Sequence, residues 1–271
     1  MGKIGIFDSG YGGLTILRAI KDLLPEYSYV YLGDNSRAPY GDRSFDVVHE
    51  YTLQCTDWLF NHDCDLVILA CNTASAKALR EIQQTDLPKR ADSKRVLGVI
   101  RPTTEQIGHY TKTGHIGIVG TKGTVQSHSY AIEIGHFFPD LSIHQEACPI
   151  WVHLIENELM GAPGSDYFVQ YHLDRLFSRE KRIDTLLLAC THYPLLYSTI
   201  QRYLPKGVRV ISQGPLVAQS LKQYLHRHSV FNRRLSKKGD LEFYTTDSNL
   251  RFDQIGSNFF AADIQSQTVH L

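Results

Sequence analysis

Residues 66–76 read LVILACNTASA, and residues 185–196 read TLLLACTHYPLL. Each stretch is a run of apolar residues that breaks off at Ala-Cys and continues into two polar residues. A short apolar run without polar alternation fits a strand buried on both faces, the habit of a parallel sheet covered by helices. Outward from these strands the likeness continues. KIGIFDSGYGG (3–13) and HIGIVGTKGTV (115–125) align without a gap, with Ile4-Gly5-Ile6 over Ile116-Gly117-Ile118. Cys71 follows Gly5 by 66 residues and Cys190 follows Gly117 by 73. One such pattern would mean little. Two at nearly equal spacing indicate a duplicated domain-sized unit rather than a solenoid repeat.

Between these landmarks apolar strand runs alternate with helical periodicity. Strands are expected at 4–7, 29–33, 66–70, 96–100, 116–120, 141–147, 185–189, 208–212 and 241–246. Helices are expected over 13–24, 44–62, 75–84, 167–179 and 215–228. This rhythm predicts an α/β protein of two similar domains with mainly parallel sheets, related by a pseudo-two-fold axis. In such sheets ligands bind beyond the carboxyl ends of the strands. Asp8, Ser9, Cys71, Asn72, Thr73, Thr121, Cys190, Thr191 and His192 all fall at such ends, so the active site is expected in the cleft between the domains.

Composition removes several function classes. The chain has 271 residues, enough for two modest domains, and 28 basic residues balance 28 acidic ones. A nucleic-acid-binding surface is therefore not expected as its main feature. No apolar run approaches the roughly 18 residues of a membrane span, and the start, MGKIGIFDSG, enters a strand rather than a signal peptide. The five cysteines are odd in number and lack C-x-x-C spacing, against a disulfide framework or a zinc knuckle. Cys55, Cys64 and Cys148 read as small core residues. His153 and Glu156 have helical spacing but no further ligands, so no metal is expected. Gly10 is followed by Tyr11-Gly12 rather than Lys-Ser/Thr, and Thr15 replaces the third glycine of a dinucleotide fingerprint.

Two strand-end cysteines facing each other suit one reaction. One group takes a proton from a carbon while the other delivers a proton to the opposite face, which inverts a stereocentre. A thiol has a pKa of ~8.5 and must be made more acidic by imidazole, cations or a helix N-terminus to work near neutrality. His192 stands two residues beyond Cys190, and Asp8 ends the strand expected beside Cys71. The bland readings are a buried cysteine, a helix cap at Asp8 and Ser9, a turn at Tyr40-Gly41 and a structural histidine. The duplicated context favours function for the cysteines.

FDSGYGG, YLGDNSRAPYG, ACNTASA, GVIRPT, GIVGTKGTV, ACTHYPLL and FYTTD resemble, in order and over nearly the whole chain, the glutamate racemases of the aspartate/glutamate racemase superfamily. The resemblance implies cofactor-independent conversion of L-glutamate to D-glutamate for the peptidoglycan peptide, in the cytoplasm. It implies domains of 1–97 plus 207–271 and of 98–206. Its catalytic cysteines fall on Cys71, on the side that takes the proton from D-glutamate, and Cys190, on the side that takes it from L-glutamate. Asp8 and His192 fall on supporting acid/base positions, with Glu156 as the match for a further glutamate. Asp8, Ser9, Tyr40, Gly41, Asn72, Thr73, Thr191 and His192 are implied substrate contacts, and Thr121 is a further candidate at its strand end. Arg101 before Pro102, and ISQGPLV (211–217), depart from the family pattern. Three alternatives stand beside this reading: a racemase that accepts aspartate, a cysteine hydrolase built on Cys190 and His192, and a non-catalytic amino-acid-binding protein. Oligomeric state is open, a homodimer included.

Overall fold

The computed structural model describes residues 1–90 and 93–271. Among them the ten strands, in chain order, are β1 Lys3–Asp8, β2 Tyr29–Gly33, β3 Cys64–Leu69, β4 Arg95–Gly98, β5 His115–Gly120, β6 Ser142–Ala147, β7 Thr185–Ala189, β8 Arg209–Ile211, β9 Leu241–Thr245 and β10 Ser266–Thr268. They form two sheets, ordered β10-β9-β2-β1-β3-β4 and β6-β5-β7-β8, and every pairing is parallel. The series β2-β1-β3-β4 and β6-β5-β7-β8 are one arrangement used twice. In each, the first strand lies between the second and the third. The connections leaving it diverge, and a crevice opens at the carboxyl ends of the first and third strands. β1 and β3 lead into Asp8-Ser9 and Cys71; β5 and β7 lead into Thr121 and Cys190.

The I-G-I motifs have a shared steric cause. A side chain on Gly5 would meet Leu59 and Cys64 at 3.2 Å; one on Gly117 would meet Leu176 at 3.0 Å and Ile183 at 3.1 Å. Leu59 lies on the helix Phe45–Asn61 and Leu176 on the helix Ser165–Arg179. In both sheets the bare strand lets a helix leucine settle onto the layer.

Several expected boundaries move. VLGVI is strand only to Gly98, and Ile100 opens the helix Ile100–Ile107 with Pro102 in its first turns, where a missing N–H costs nothing. The segment expected as a helix over 75–84 starts earlier, at Asn72, and beyond Lys77 breaks into short helical turns. The chain's return to the first sheet comes after 207: β8 pairs with β7 through Thr185–Arg209, Leu186–Val210 and Leu187–Ile211, and β9 is the strand that rejoins. β10 was not legible, because SQT carries no apolar signal and only its first residue is buried. Arg101 is a solvent-facing helix residue paired with Glu105 at 3.0 Å, away from the cleft.

Gly5→Val should overpack the contact with Leu59 and Cys64 and cost roughly 1–3 kcal/mol. Thermal or urea denaturation checks this; an unchanged midpoint would contradict the steric account.

Candidate functional site

At the shared mouth of the two crevices lies a cavity of about 30 Å³ lined by Ser9, Tyr40, Gly41, Cys71, Asn72, Thr73, Thr121, Glu156, Cys190, Thr191 and His192. Ala38, Pro39 and Val152 complete the lining. Every candidate from the sequence is therefore here except Asp8, which is fully buried behind the lining. Asp8 accepts from the Gly10 N–H at 3.0 Å and faces the Thr191 hydroxyl at 3.5 Å. Cys55, Cys64 and Cys148 are buried in the core, away from the cavity.

The two sulfurs have different surroundings. Cys71 is the N-cap of the helix Asn72–Lys77, with its Sγ 3.5 Å from the Ala74 N–H and 3.4 Å from the Ser9 hydroxyl. Burial, with the Asp8 carboxyl beside it, pushes the Cys71 thiol up to about 12 against those hydrogen bonds. Burial likewise raises Asp8, opposed by the His192 charge and the backbone N–H groups. Cys190 instead lies 3.9 Å from Nδ1 of His192, whose Nε2 is 2.8 Å from Oε1 of Glu156. Burial works against a charged His192, yet its bonds to Cys190 and Glu156 hold its pKa well above the usual value. Burial also opposes the Glu156 charge, but the His192 hydrogen bond and charge bring it below the ordinary carboxylate range. One sulfur thus sits in a neutral-favouring pocket beside a carboxyl group and the other beside an imidazolium.

The remaining candidates join the two sheets. Thr73 Oγ1 meets Thr121 Oγ1 at 2.9 Å, and the Gly123 N–H donates to the Gly41 carbonyl at 2.8 Å. Thr121 also caps the helix Lys122–Gln126. The Thr191 carbonyl accepts from the Thr15 hydroxyl at 3.1 Å. A side chain on Gly12 would strike the Thr191 hydroxyl and Nδ1 of His192, the latter at 2.5 Å, so that approach demands glycine. The Tyr40 hydroxyl is taken by Asp34. The Asn72 amide is spanned by Gln213, at 2.6 Å, and the Tyr130 hydroxyl, at 2.5 Å. Sequence reasoning missed Gln213, Tyr130 and Gly12; the only trace of Gln213 was that ISQGPLV looked unusual. His153 and Glu156, the spacing weighed for a metal, belong to different settings, since Glu156 is engaged by His192. His115, His144 and Glu180 bring three ligand-type atoms within 4.8 Å of one another. His115 opens β5, at the end opposite Thr121, and the Glu180 carboxylate is occupied by Arg182 at 2.9 and 2.7 Å.

A cleft between duplicated open sheets, with a thiol from each, defines a class, and comparison with known proteins agrees. The model of the Asp/Glu/hydantoin racemase family matches residues 14–221. The chain belongs to that family and is an isomerase of the racemase kind. It is 36% identical to the glutamate racemase of Persephonella marina, over 99% of this chain and 97% of the relative. A crystal structure of a glutamate racemase isoform from Bacillus anthracis superposes with a TM-score of 0.90 at 34% identity, covering 100% of this chain and 98% of that one. The Francisella tularensis glutamate racemase in complex with D-glutamate gives 0.87 at 29% identity, over 99% and 97%.

The His192–Glu156 pair carries a pH signature. The raised His192 contributes stability that is complete below its unfolded pKa of ~6.5 and is lost as pH rises through its folded value. The lowered Glu156 contributes above its own unfolded pKa of ~4.3 and loses this on acidification. Glu156→Gln should therefore shift His192 titration to lower pH, measured by NMR of the imidazole. Its stability deficit should be widest from mildly acidic to neutral pH and narrow as pH rises through the folded His192 value. An unshifted titration would mean that Glu156 does not hold that charge.

Proposed function

We propose that this protein interconverts L- and D-glutamate without a cofactor, using Cys71 and Cys190 as acid/bases on opposite faces of the α-carbon. The observation that carries the reading is that one small cavity is lined by both sulfurs, each delivered by the third strand of its own sheet. Two-base inversion needs one sulfur with a proton and one ready to take a proton. Burial and the neighbouring carboxyl keep the proton on Cys71, and His192, with its Nδ1 3.9 Å from the Cys190 sulfur, is placed to exchange the proton that Cys190 takes from the α-carbon or returns to it. Asp8 and Glu156 act behind the thiols, Asp8 through Gly10 and Thr191 and Glu156 through His192. Backbone N–H groups and hydroxyls of the Cys71-Asn72-Thr73 and Cys190-Thr191-His192 turns, with Ser9, Tyr40-Gly41 and Thr121, receive the substrate's carboxylates and the charge that builds during deprotonation.

The names of the relatives support glutamate, as does the Francisella glutamate racemase solved in complex with D-glutamate. Aspartate is one methylene shorter, a difference worth only ~1–3 kcal/mol, so an activity measurement on both substrates decides preference. The product would supply peptidoglycan synthesis in the cytoplasm; among the described residues no helix is long and apolar enough to cross a membrane. The cavity of about 30 Å³ has room for roughly one or two waters and not for glutamate. The two units, 1–97 with the C-terminal segment and 98–206 extended through β8, must therefore part to admit substrate.

One geometric feature favours a second reading. Cys190, His192 and Glu156 form a nucleophile–base–orienter chain of the kind found in cysteine hydrolases. That reading gives Cys71 no task, although Cys71 lines the same cavity.

The test is optical rotation with L- and D-glutamate and aspartate in metal-free buffer without pyridoxal phosphate, on wild type, Cys71→Ser, Cys190→Ser and the core control Cys64→Ser. Serine keeps the size but is a far weaker base, so the first two should lose at least a hundredfold in rate with little change in midpoint. Cys64→Ser should keep its turnover. Retention of most activity by either cavity variant would refute the two-base mechanism, and a trapped covalent intermediate would favour the hydrolase.

A further inference from the structure

Gln213 lies on neither cysteine turn, yet its side chain meets the cavity wall and the connections between the two sheets together. It opens the helix Gln213–Arg227, directly after β8, on the path back to the first sheet. Its Oε1 accepts from Asn72 Nδ2 at 2.6 Å, and Asn72 is the residue after Cys71. Its Nε2 reaches the Tyr130 hydroxyl at 2.7 Å, Thr103 Oγ1 at 3.0 Å and the Val99 carbonyl at 3.3 Å. Tyr130 belongs to the helix Ser129–Phe137 of the second unit and donates in turn to Asn72 Oδ1 at 2.5 Å. Val99 and Thr103 lie on the other crossing, between β4 and β5. Asn72, Val99, Thr103, Tyr130 and Gln213 are all buried.

The chain passes between the sheets twice, once through Val99–Ile107 and once through the segment beginning at Gln213. A single amide therefore ties both passages to the turn that carries Cys71. We propose that Gln213 is a positioning residue for the racemisation, coupling the two connections between the units to the placement of Asn72 and Cys71. A buried amide of this kind has a geometric demand that a surface bond lacks. Each lost partner leaves a polar group unsatisfied, so the network holds as a unit or rearranges as a unit. The groups that face it are one side-chain amide, two hydroxyls and the Val99 backbone carbonyl, so it acts by geometry and carries no charge of its own.

The inference rests on the two-thiol reading, and the experiment separates the two. Wild type is first assayed with both enantiomers of glutamate; absence of racemisation would remove the reading itself, whatever Gln213 does. With activity established, Gln213→Met, which keeps length and apolar volume but removes both polar ends, is compared with Tyr130→Phe, which removes only the shared hydroxyl. Misplacing a reacting group by a fraction of an ångström to an ångström costs up to roughly a hundredfold in rate. The expected result is a fall in kcat of roughly tenfold or more for each variant, with KM changed much less, and a double variant no worse than the poorer single one. Gln213→Asn, too short to span Asn72 and Thr103 at once, should not rescue the rate. A lowered thermal midpoint with kcat and KM near wild type in the folded enzyme would overturn the proposal, leaving Gln213 a purely structural residue. Multiplicative losses in the double variant would overturn it as well, since the two side chains would then act independently. Should Gln213→Met fail to fold, Tyr130→Phe alone carries the comparison, because it leaves Gln213 bonded to Thr103 and Val99.

Discussion

Each cysteine turn is pressed against the first-strand turn of the opposite sheet, and the rest of the site depends on that exchange. Thr73, two residues past Cys71, meets Thr121 at the end of β5. Thr191, one residue past Cys190, meets Asp8 at the end of β1 and accepts from Thr15 beyond it. The two contacts are counterparts under the pseudo-two-fold relation of the sheets. Gly12 is the concession the backbone makes to them, since any side chain there would collide with Thr191 and His192. A cavity this small keeps bulk water from both sulfurs, and that exclusion strengthens the charge interactions inside it.

Symmetry of backbone does not extend to electrostatics. Cys71 caps a helix, beside Ser9 and a buried carboxyl group, and burial there favours the neutral thiol. Cys190 leads into Pro194 and a short helical turn, and its cation comes from His192, steadied from across the unit by Glu156. A helix N-cap is thus present at Cys71 and not at Cys190. Proton transfer in a fixed direction across one carbon calls for such an inequality between the two faces, and reversal of direction calls for it to be small enough to invert.

Much of this was legible in the sequence because the signals were local. The apolar runs at 66–70 and 186–189 fit doubly covered strands, and the I-G-I motifs fixed the correspondence of the halves. Cys71, Asn72 and Thr73 sit where a strand must turn, so their place in the cavity wall follows from topology alone. What could not be read depended on the packing of distant segments. Gln213 was one polar residue in an odd heptapeptide, and its four partners come from three other parts of the chain. β8 was foreseen as a strand, but its sheet was misassigned because a three-residue strand carries no mark of its neighbour. Asp8, expected among the ligand contacts, is fully buried and accepts from the Gly10 N–H, a setting that the strand pattern alone does not reveal.

The most direct test of two opposed thiols is racemisation in deuterium oxide, following α-deuterium in substrate and product from the first turnovers, starting from each enantiomer in turn. Inversion by two bases predicts that product carries solvent deuterium as it forms, while the remaining substrate labels more slowly, because the base that took its proton shares it poorly with solvent. Equal labelling of substrate and product from the first turnover would contradict the account and indicate a single base exchanging freely at both faces.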